Sequence, residues 1–334
     1  MVRVHKTYSE TVNAITHSAP HHADEVFATA MLAILFPVEL FRTRDQAIID
    51  STDAIVYDVG GEFNPEKKRF DHHQKGFSEV RPDGITYSSA GLIWREYGVE
   101  IVKKLGETMG IDDQMALEIV SYIDNALVRG AMKAVTAAQA VVSYVDNTLV
   151  RGIDAMDNGQ GEEGDSMSVS SVISAYNTLW DEDEDADSCF VSACEIAGKI
   201  LEREIKVAIS SIHGQKLVRE QIEAANGAII VMDQFIGGWL GAVLTSDNPK
   251  SAELLYAVFP AADGNWNVQA IPPTVKDIMA QRKPFPEAWR GLRNEELKNA
   301  SGVKTAVFCH TAGFFAVAGT KEDAISLANK AASS

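Results

Sequence analysis

The histidines and acids of this chain gather in a few short stretches. His17, His22 and Asp24 lie within Thr16-His-Ser-Ala-Pro-His-His-Ala-Asp-Glu25. Asp58 precedes two glycines in Val56-Tyr-Asp-Val-Gly-Gly61, Asp71, His72 and His73 are consecutive, and Asp154 and Asp157 belong to Ile153-Asp-Ala-Met-Asp-Asn-Gly159. Imidazole and carboxylate ligands without cysteine suit a hard or borderline divalent ion such as manganese, magnesium or zinc. So many carboxylates suit two ions about 3.5–4 Å apart, with one acid, here Asp58, as the bridge. Paired cations offset the repulsion among the acids, acidify water and stabilise charge on a phosphate. His73 is a candidate to contact the phosphate or protonate a leaving oxygen, and Asp71 to orient an imidazole.

Each residue also has a plainer reading. Glu25 suits a helix N-terminus by charge alone, or it orients a neighbouring ligand. His21 reads as a packing residue. Gly60 and Gly61 suit an ordinary tight turn, as does Asp157-Asn158-Gly159. Asp154 and Asp157 have helical spacing and share a face, so either is a candidate ligand.

Elements must bring these stretches together. Val12–Thr16 reads as a short strand weakened by Asn13, followed by a helix from Val26 to Phe36, a strand over Val38–Arg42 and a buried strand over Ala54–Tyr57. Tyr87–Tyr97 and its continuation read as a helix. Alternating strands and helices favour a parallel α/β sheet, whose strand-end loops line one crevice. Ser121–Gly130 recurs as Ser143–Gly152, an offset of 22 residues and close to six helical turns, which suggests a local helical duplication. Asp181–Asp187 reads as a solvated acidic loop before a helix over Cys189–His213. Beyond it, Ala228–Met232, Ala252–Phe259 and Trp266–Ile271 read as strands, and Gly302–His310 with Phe314–Ala318 as a hairpin before a final helix. The expected organisation is α/β throughout: a metal-binding catalytic domain over residues 1–213 and a smaller α/β substrate-binding domain over 214–334.

The formal charge of −17 gives little general attraction to nucleic acid or anionic lipid, but it does not exclude a phosphorylated substrate near a metal centre. Hydrophobic residues make up 46%, enough for substantial cores. Cys189, Cys194 and Cys309 form no paired framework, which favours a reducing interior. No signal-peptide core and no long uncharged apolar run is present, so a cytoplasmic protein without a membrane span is expected. Arg282, Lys283 and Arg290 supply local positive charge, and with His310 they are the candidate substrate-binding group. Core packing is the expected role of Trp239, Trp266, Phe314 and Phe315. The glycines around Gly237 do not form a phosphate-loop motif, which argues against a Walker-type ATPase.

Together these motifs resemble the MYG1 family within the DHH phosphoesterase superfamily. Pro284-Phe-Pro-Glu-Ala-Trp-Arg-Gly-Leu-Arg293 and Phe308-Cys-His-Thr-Ala-Gly-Phe314 extend the resemblance over nearly the whole chain. It implies a parallel-sheet DHH domain followed by a smaller substrate-facing domain, and two divalent metals, often manganese. By the resemblance, His17, His22 and Asp58 match the ligands of one metal. Asp24, Asp58, His72 and an acid of Ile153–Gly159 match those of the second, with Asp157 preferred and Asp154 kept. Phosphodiester hydrolysis is implied, including 3′-to-5′ exonuclease action on short RNA or oligonucleotides. A small-molecule phosphatase or pyrophosphatase, and a metal-stabilised interaction protein, are the competing readings; a homodimer is compatible with the helical surfaces. The first motif departs from the family pattern at Ala23, where cysteine is common, and the extra Ser121–Gly130 copy is a second departure.

Overall fold

The computed structural model describes residues 1–108, 137–161, 168–225, 227–274 and 277–334. Residue contacts divide it into two units, Met1–Ile209 and Ser210–Ser334. Both this division and the expected one at 213/214 fall inside a single long helix, Ala186–Ala224.

The first unit is built on a six-stranded sheet in the order β1-β3-β2-β4-β6-β5. Its strands are β1 (Val2–His5), β2 (Ala14–Thr16), β3 (Val38–Arg42), β4 (Ile55–Tyr57), β5 (Phe63–Asn64) and β6 (Arg69–Phe70). All neighbours are parallel except β5 and β6. The apolar runs Ala14–Thr16 and Ile55–Tyr57 are wholly buried, as expected of central parallel strands. β2 is shorter than the apolar pattern predicts. Just before it, Asn13 pairs through its backbone with Glu39 and Ile55 and adds its side chain, accepting from the Glu39 amide at 2.9 Å and donating to the Pro37 carbonyl at 2.8 Å. β1 is an edge strand that the sequence reading did not anticipate.

Helix α1 (Ala23–Leu35) is apolar on nearly all sides and is buried from Ala23 to Leu32. It packs on α3 (Ser89–Thr108), while α2 (Gln46–Ser51) connects β3 to β4. Further on, α4 (Ala137–Val145) passes through a π-helical turn, Asp146–Val150, into α5 (Arg151–Asp157), followed by α6 (Val169–Ser174) and α7 (Ala186–Ala224). The second repeat copy, Ser143–Gly152, spans the α4–α5 transition; the first copy lies outside the described residues. The acidic run is largely exposed, but its end is not merely solvated. Asp185 and Asp187 accept from Lys6, and Asp187 also accepts from the buried Arg42.

The second unit has a five-stranded sheet in the order β10-β11-β9-β8-β7. Its strands are β7 (Ile229–Val231), β8 (Tyr256–Pro260), β9 (Trp266–Ala270), β10 (Ala306–Cys309) and β11 (Phe315–Ala318), antiparallel except for β7 with β8. Alternate residues of β8 feed two cores. Tyr256 and Val258 pack with α11 (Lys321–Ser333), whereas Ala257 and Phe259 pack with Val218 and Ile222 of α7 and with α8 (Trp239–Leu244). The strand expected from Ala252 begins only at Tyr256, because Asn248 caps α9 (Pro249–Glu253) with Pro249 in its first turn. Helix α10 (Asn294–Ser301) precedes the terminal hairpin. The fold class is α/β, a mostly parallel sheet unit followed by a smaller α/β unit. Among the described residues, no helix is long and apolar enough to cross a membrane.

Candidate metal centre

Strand register explains how separate motifs meet. Ile15 pairs with Val56 and Val56 with Arg69, so the next-but-one residues, His17, Asp58 and Asp71, leave the sheet at one level. The position is the switch point between β2 and β4, whose outgoing connections run to opposite sides, the usual crevice of an open parallel sheet. Asp58 has a φ of 58°, and Ala19 in the first loop has a φ of 103°. Both are non-glycine residues held in the left-handed region, a cost of about 1–3 kcal/mol that concentrates at functional sites.

Asp58 faces two ways. Its Oδ2 lies 3.2 Å from His17 Nε2, and its Oδ1 lies 3.3 Å from His72 Nε2. Glu25 Oε1 is also 3.2 Å from His17 Nε2, and its carboxylate accepts from the His22 amide at the start of α1. His72 Nε2 lies 3.3 Å from Asp157 and 3.7 Å from Asp24. Three sets therefore have ligand atoms within 4.8 Å of one another: His17, His22, Glu25 and Asp58; His22, Asp24 and Asp157; and Asp58, Asp71, His72 and His73.

The electrostatics are those of a site short of positive charge. Burial disfavours a charged ring at His17, but Asp58 and Glu25 override it and push the imidazole up to about 10. Burial would raise Asp58, yet its contacts with His17 and His72 outweigh this and hold it below the carboxylate range. Asp24 is fully buried and, among the described residues, neither of its oxygens has a hydrogen-bond partner, nor does His72 Nε2. Burial, reinforced by Asp58, Asp157 and Glu25, raises Asp24 well above its ordinary value, and burial raises Asp157. A buried carboxylate without a donor is costly in a folded protein. The donor set of imidazole nitrogens and carboxylate oxygens fits divalent cations, and the partnerless oxygens of Asp24 are where one would relieve the cost.

His73 is 62% exposed, with Nδ1 at 2.7 Å from Asp71 Oδ1. A carboxylate only accepts, so Nδ1 carries the proton and Nε2 is the nitrogen left for a ligand. Asp71, fixed by the Gly61, His72 and His73 amides, raises His73.

Asp154 and Asp157 share a helix face but not an environment. Asp154 Oδ1 accepts from the Ser88 amide and hydroxyl and from the Gly91 amide, so it caps the N-terminus of α3. Its Oδ2 accepts from Arg81 Nε and Nη2, both at 2.8 Å. Burial pushes Asp154 up to about 6 against the pull of Arg81 and Ser88. Arg81 also forks onto Asp146 in the π turn. Asp157, one turn on, faces His72, His22 and Asp24 instead. His21 packs edge-on against Phe190 and donates its amide to Asn177, and burial pushes its ring down to about 4.

Two supporting arginines escaped the sequence reading. Arg42, buried, donates to the carbonyls of His17 and Ala19 and so fixes the first loop. Arg81 lay in a polar stretch with no periodic signal. Two cavities adjoin the cluster. One of about 260 Å³ is lined by His17, His22, Arg44, Asp58, Asp71 and His73. The other, about 440 Å³, is lined by Met156, Asp157 and three serines of α6, Ser170, Ser171 and Ser174, and shares His22 with the first.

In the second unit, Arg282 donates to the carbonyls of Ser251 and Leu254, and Lys283 to those of Ala332 and Ser334. Arg290 Nε donates to Phe285, and His310 Nδ1 accepts from the Ala312 amide. The rings of His310 and Phe314 meet at a tilt, 4.5 Å between centroids. Trp239 is core, as expected, but Phe314 is 36% exposed because it follows the tight turn at Gly313.

Residues 13–332 match the profile of the MYG1_exonuc family, described as an uncharacterised protein family (UPF0160). The chain belongs to the MYG1 family. It is 31% identical to a MYG1 protein of Caenorhabditis elegans over 95% of this chain and 94% of that one. It is 28% identical to the MYG1 exonuclease of Homo sapiens over 94% of this chain and 84% of that one. Among solved structures it is similar, at 12% identity and a TM-score of 0.24, to a pGpG-specific phosphodiesterase from Vibrio cholerae, over 96% of this chain and 97% of that one.

Proposed function

We propose that this MYG1-family chain is a metal-dependent phosphodiesterase that removes nucleotides from the 3′ end of short RNA or other oligonucleotides. The observation that carries the reading is the buried, partnerless carboxylate of Asp24 beside His72, Asp58 and Asp157. The exonuclease names of mammalian relatives support a polynucleotide substrate.

His17, His22 and Asp58, with Glu25 beside them, would hold one ion; Asp24, Asp58, His72 and Asp157 would hold a second. Manganese is the proposed metal. When bound, two such ions acidify water and neutralise charge on the phosphate oxygens. The remaining work belongs to side chains. Asp58, between His17 and His72, joins the two ligand sets. Asp71 holds His73 in one tautomer, so that Nε2 meets the phosphate or holds a proton for the leaving oxygen. Asp154 acts as a positioning residue for α3 and α5, leaving Asp157 as the ligand. Arg290 and His310, beside Phe314, are the better-placed substrate contacts of the second unit. Arg282 and Lys283 shape it through their backbone carbonyl contacts.

The test is hydrolysis of RNA labelled at the 5′ end, with manganese and with chelator. Metal-dependent shortening from the 3′ end is expected. Absence of product from RNA and from dinucleotides, with manganese, magnesium and zinc each supplied, would overturn the reading. Cleavage of pyrophosphate alone would replace it with a phosphatase.

A further inference from the structure

β3 lies beside β2 in the sheet, with Arg42 paired to Thr16. Its exit loop therefore leaves the sheet at the level of His17, and two residues on from Arg42 it carries Arg44. The site thus receives four adjacent loops at one rim, from β3, β2, β4 and β6; the first brings Arg44, whereas Arg81 of the last is engaged by Asp146 and Asp154. Arg44 Nε donates to the Ser18 carbonyl at 3.3 Å. This contact pins the base of the guanidinium to the His17 loop and leaves the terminal Nη groups without a partner among the described residues. Arg44 lines the 260 Å³ cavity with His17, His22, Asp58, Asp71 and His73. Among the described residues lining that cavity, Arg44 is the one arginine or lysine.

We infer that Arg44 is a substrate-binding residue of the first unit that grips non-bridging oxygens of the phosphate through its terminal guanidinium nitrogens. The inference deepens the proposed function and rests on it. A planar guanidinium presents two parallel donors matched to two phosphate oxygens, a geometry that a lysine ammonium does not reproduce. A cavity walled by Asp58 and Asp71 would otherwise repel an oxyanion on its metal-free side. The arginine also gives the first unit its own phosphate contact, separate from Arg290 and His310.

The experiment uses the full chain loaded with manganese and compares wild type, Arg44→Ala, Arg44→Lys and, as a charge-loss control on an exposed lysine, Lys304→Ala. Orthophosphate affinity is read by calorimetry, manganese stoichiometry by elemental analysis, and KM and kcat on a dinucleotide. Loss of one charge-assisted contact predicts about 10- to 100-fold weaker orthophosphate binding in R44A, with full manganese content and unchanged melting temperature. R44K recovers part of the affinity and K304A stays at wild type. The inference is overturned if R44A binds orthophosphate within twofold of wild type, if it loses manganese in parallel, or if wild type binds no orthophosphate. A wild type that binds orthophosphate but cleaves no diester refutes the proposed function, while the R44A comparison still decides the role of Arg44.

Discussion

Replacing Gly91 by alanine tests the clamp on which the position of Asp157 depends. A Cβ at Gly91 would fall 2.3 Å from Asp154 Oδ2, 2.6 Å from Oδ1 and 2.7 Å from Cγ, where ordinary contact begins at 3.4 Å. The Asp154 carboxylate must move by about 1 Å, and it has nowhere to go. Three donors from the start of α3 hold one oxygen, and Arg81 holds the other. Overpacking costs about 1–3 kcal/mol. One or two broken hydrogen bonds to a charged group add about 1.5–3 kcal/mol each. A destabilisation of about 4 kcal/mol follows, which in a unit of about 200 residues lowers the melting temperature by about 10 °C. The same substitution at Gly198, in the interior of α7 with nothing within 4 Å of its Cβ, should instead stabilise by about 0.5–1 kcal/mol. Circular dichroism melts of both variants give the two signs. The strictest control is Gly91→Ala combined with Asp154→Ala: all three nearest atoms belong to Asp154, so the second substitution should remove most of the penalty of the first. A G91A protein melting within 2 °C of wild type, or a double variant in which the penalties simply add, would refute the clamp.

Asp24→Asn should have opposite effects with and without metal. It removes an acid that the metal-free fold must keep protonated by proton uptake, so that form should gain about 1–2 kcal/mol in urea unfolding at neutral pH, while manganese affinity falls at least about tenfold. Lower stability in chelator would contradict this. Asp58→Ala should reduce kcat/KM on a dinucleotide by about 10²-fold or more, because it removes a contact of both His17 and His72. His21→Asn should lower chiefly the melting temperature, and comparable activity losses in the two variants would contradict their separate roles. Cys309 has its thiol pushed up to about 11 by burial. At pH 8 the thiolate fraction is about 100-fold smaller than for a thiol near 9, and alkylation of Cys309 should slow in proportion. Its rate should climb with pH until the thiol titrates near 11; a rate that levels off near 9 would contradict the shift.

His17 and Asp58 were legible because each follows a short apolar run, and in a parallel sheet such runs end at a common rim; Asp71–His73 stood out only as an acid beside two histidines, since Arg69-Phe70 has no strand pattern. The same rule would have reached Arg44, which follows Val38–Arg42, had it been applied to cations as well as to histidines and acids. Asp154 and Asp157 could not be separated by sequence. What distinguishes them is Arg81 and the start of α3, more than 60 residues away in the chain, and neither carries a local signal. β1 was missed because Val2–His5 is a four-residue edge strand carrying Arg3 and His5, and its parallel pairing with β3 is what makes it a strand. The cations of the second unit read as free charge in sequence; folding ties Arg282 and Lys283 to carbonyls of their own unit.

The carriers of the cluster also explain why its charge cannot relax by movement. His17 and Asp58 leave strands paired in register, and Arg42 fixes the carbonyls around His17. Asp24 lies in the first turn of a helix buried along most of its length. Asp157 is one turn from Asp154, whose carboxylate is held at both oxygens. Five carboxylates, Asp24, Glu25, Asp58, Asp71 and Asp157, therefore stay in three neighbouring ligand sets whatever the local repulsion. A flexible site would swing its acids into solvent and keep low affinity for cations. A rigid one must instead take up protons or cations, and in the metal-free protein burial and the neighbouring acids favour a proton on Asp24, while His17 and His72 favour charge on Asp58. A divalent cation that displaced those protons would recover the repulsion less the cost of releasing them, so the rigidity supplied by Asp154, Arg81 and Arg42 favours cation binding.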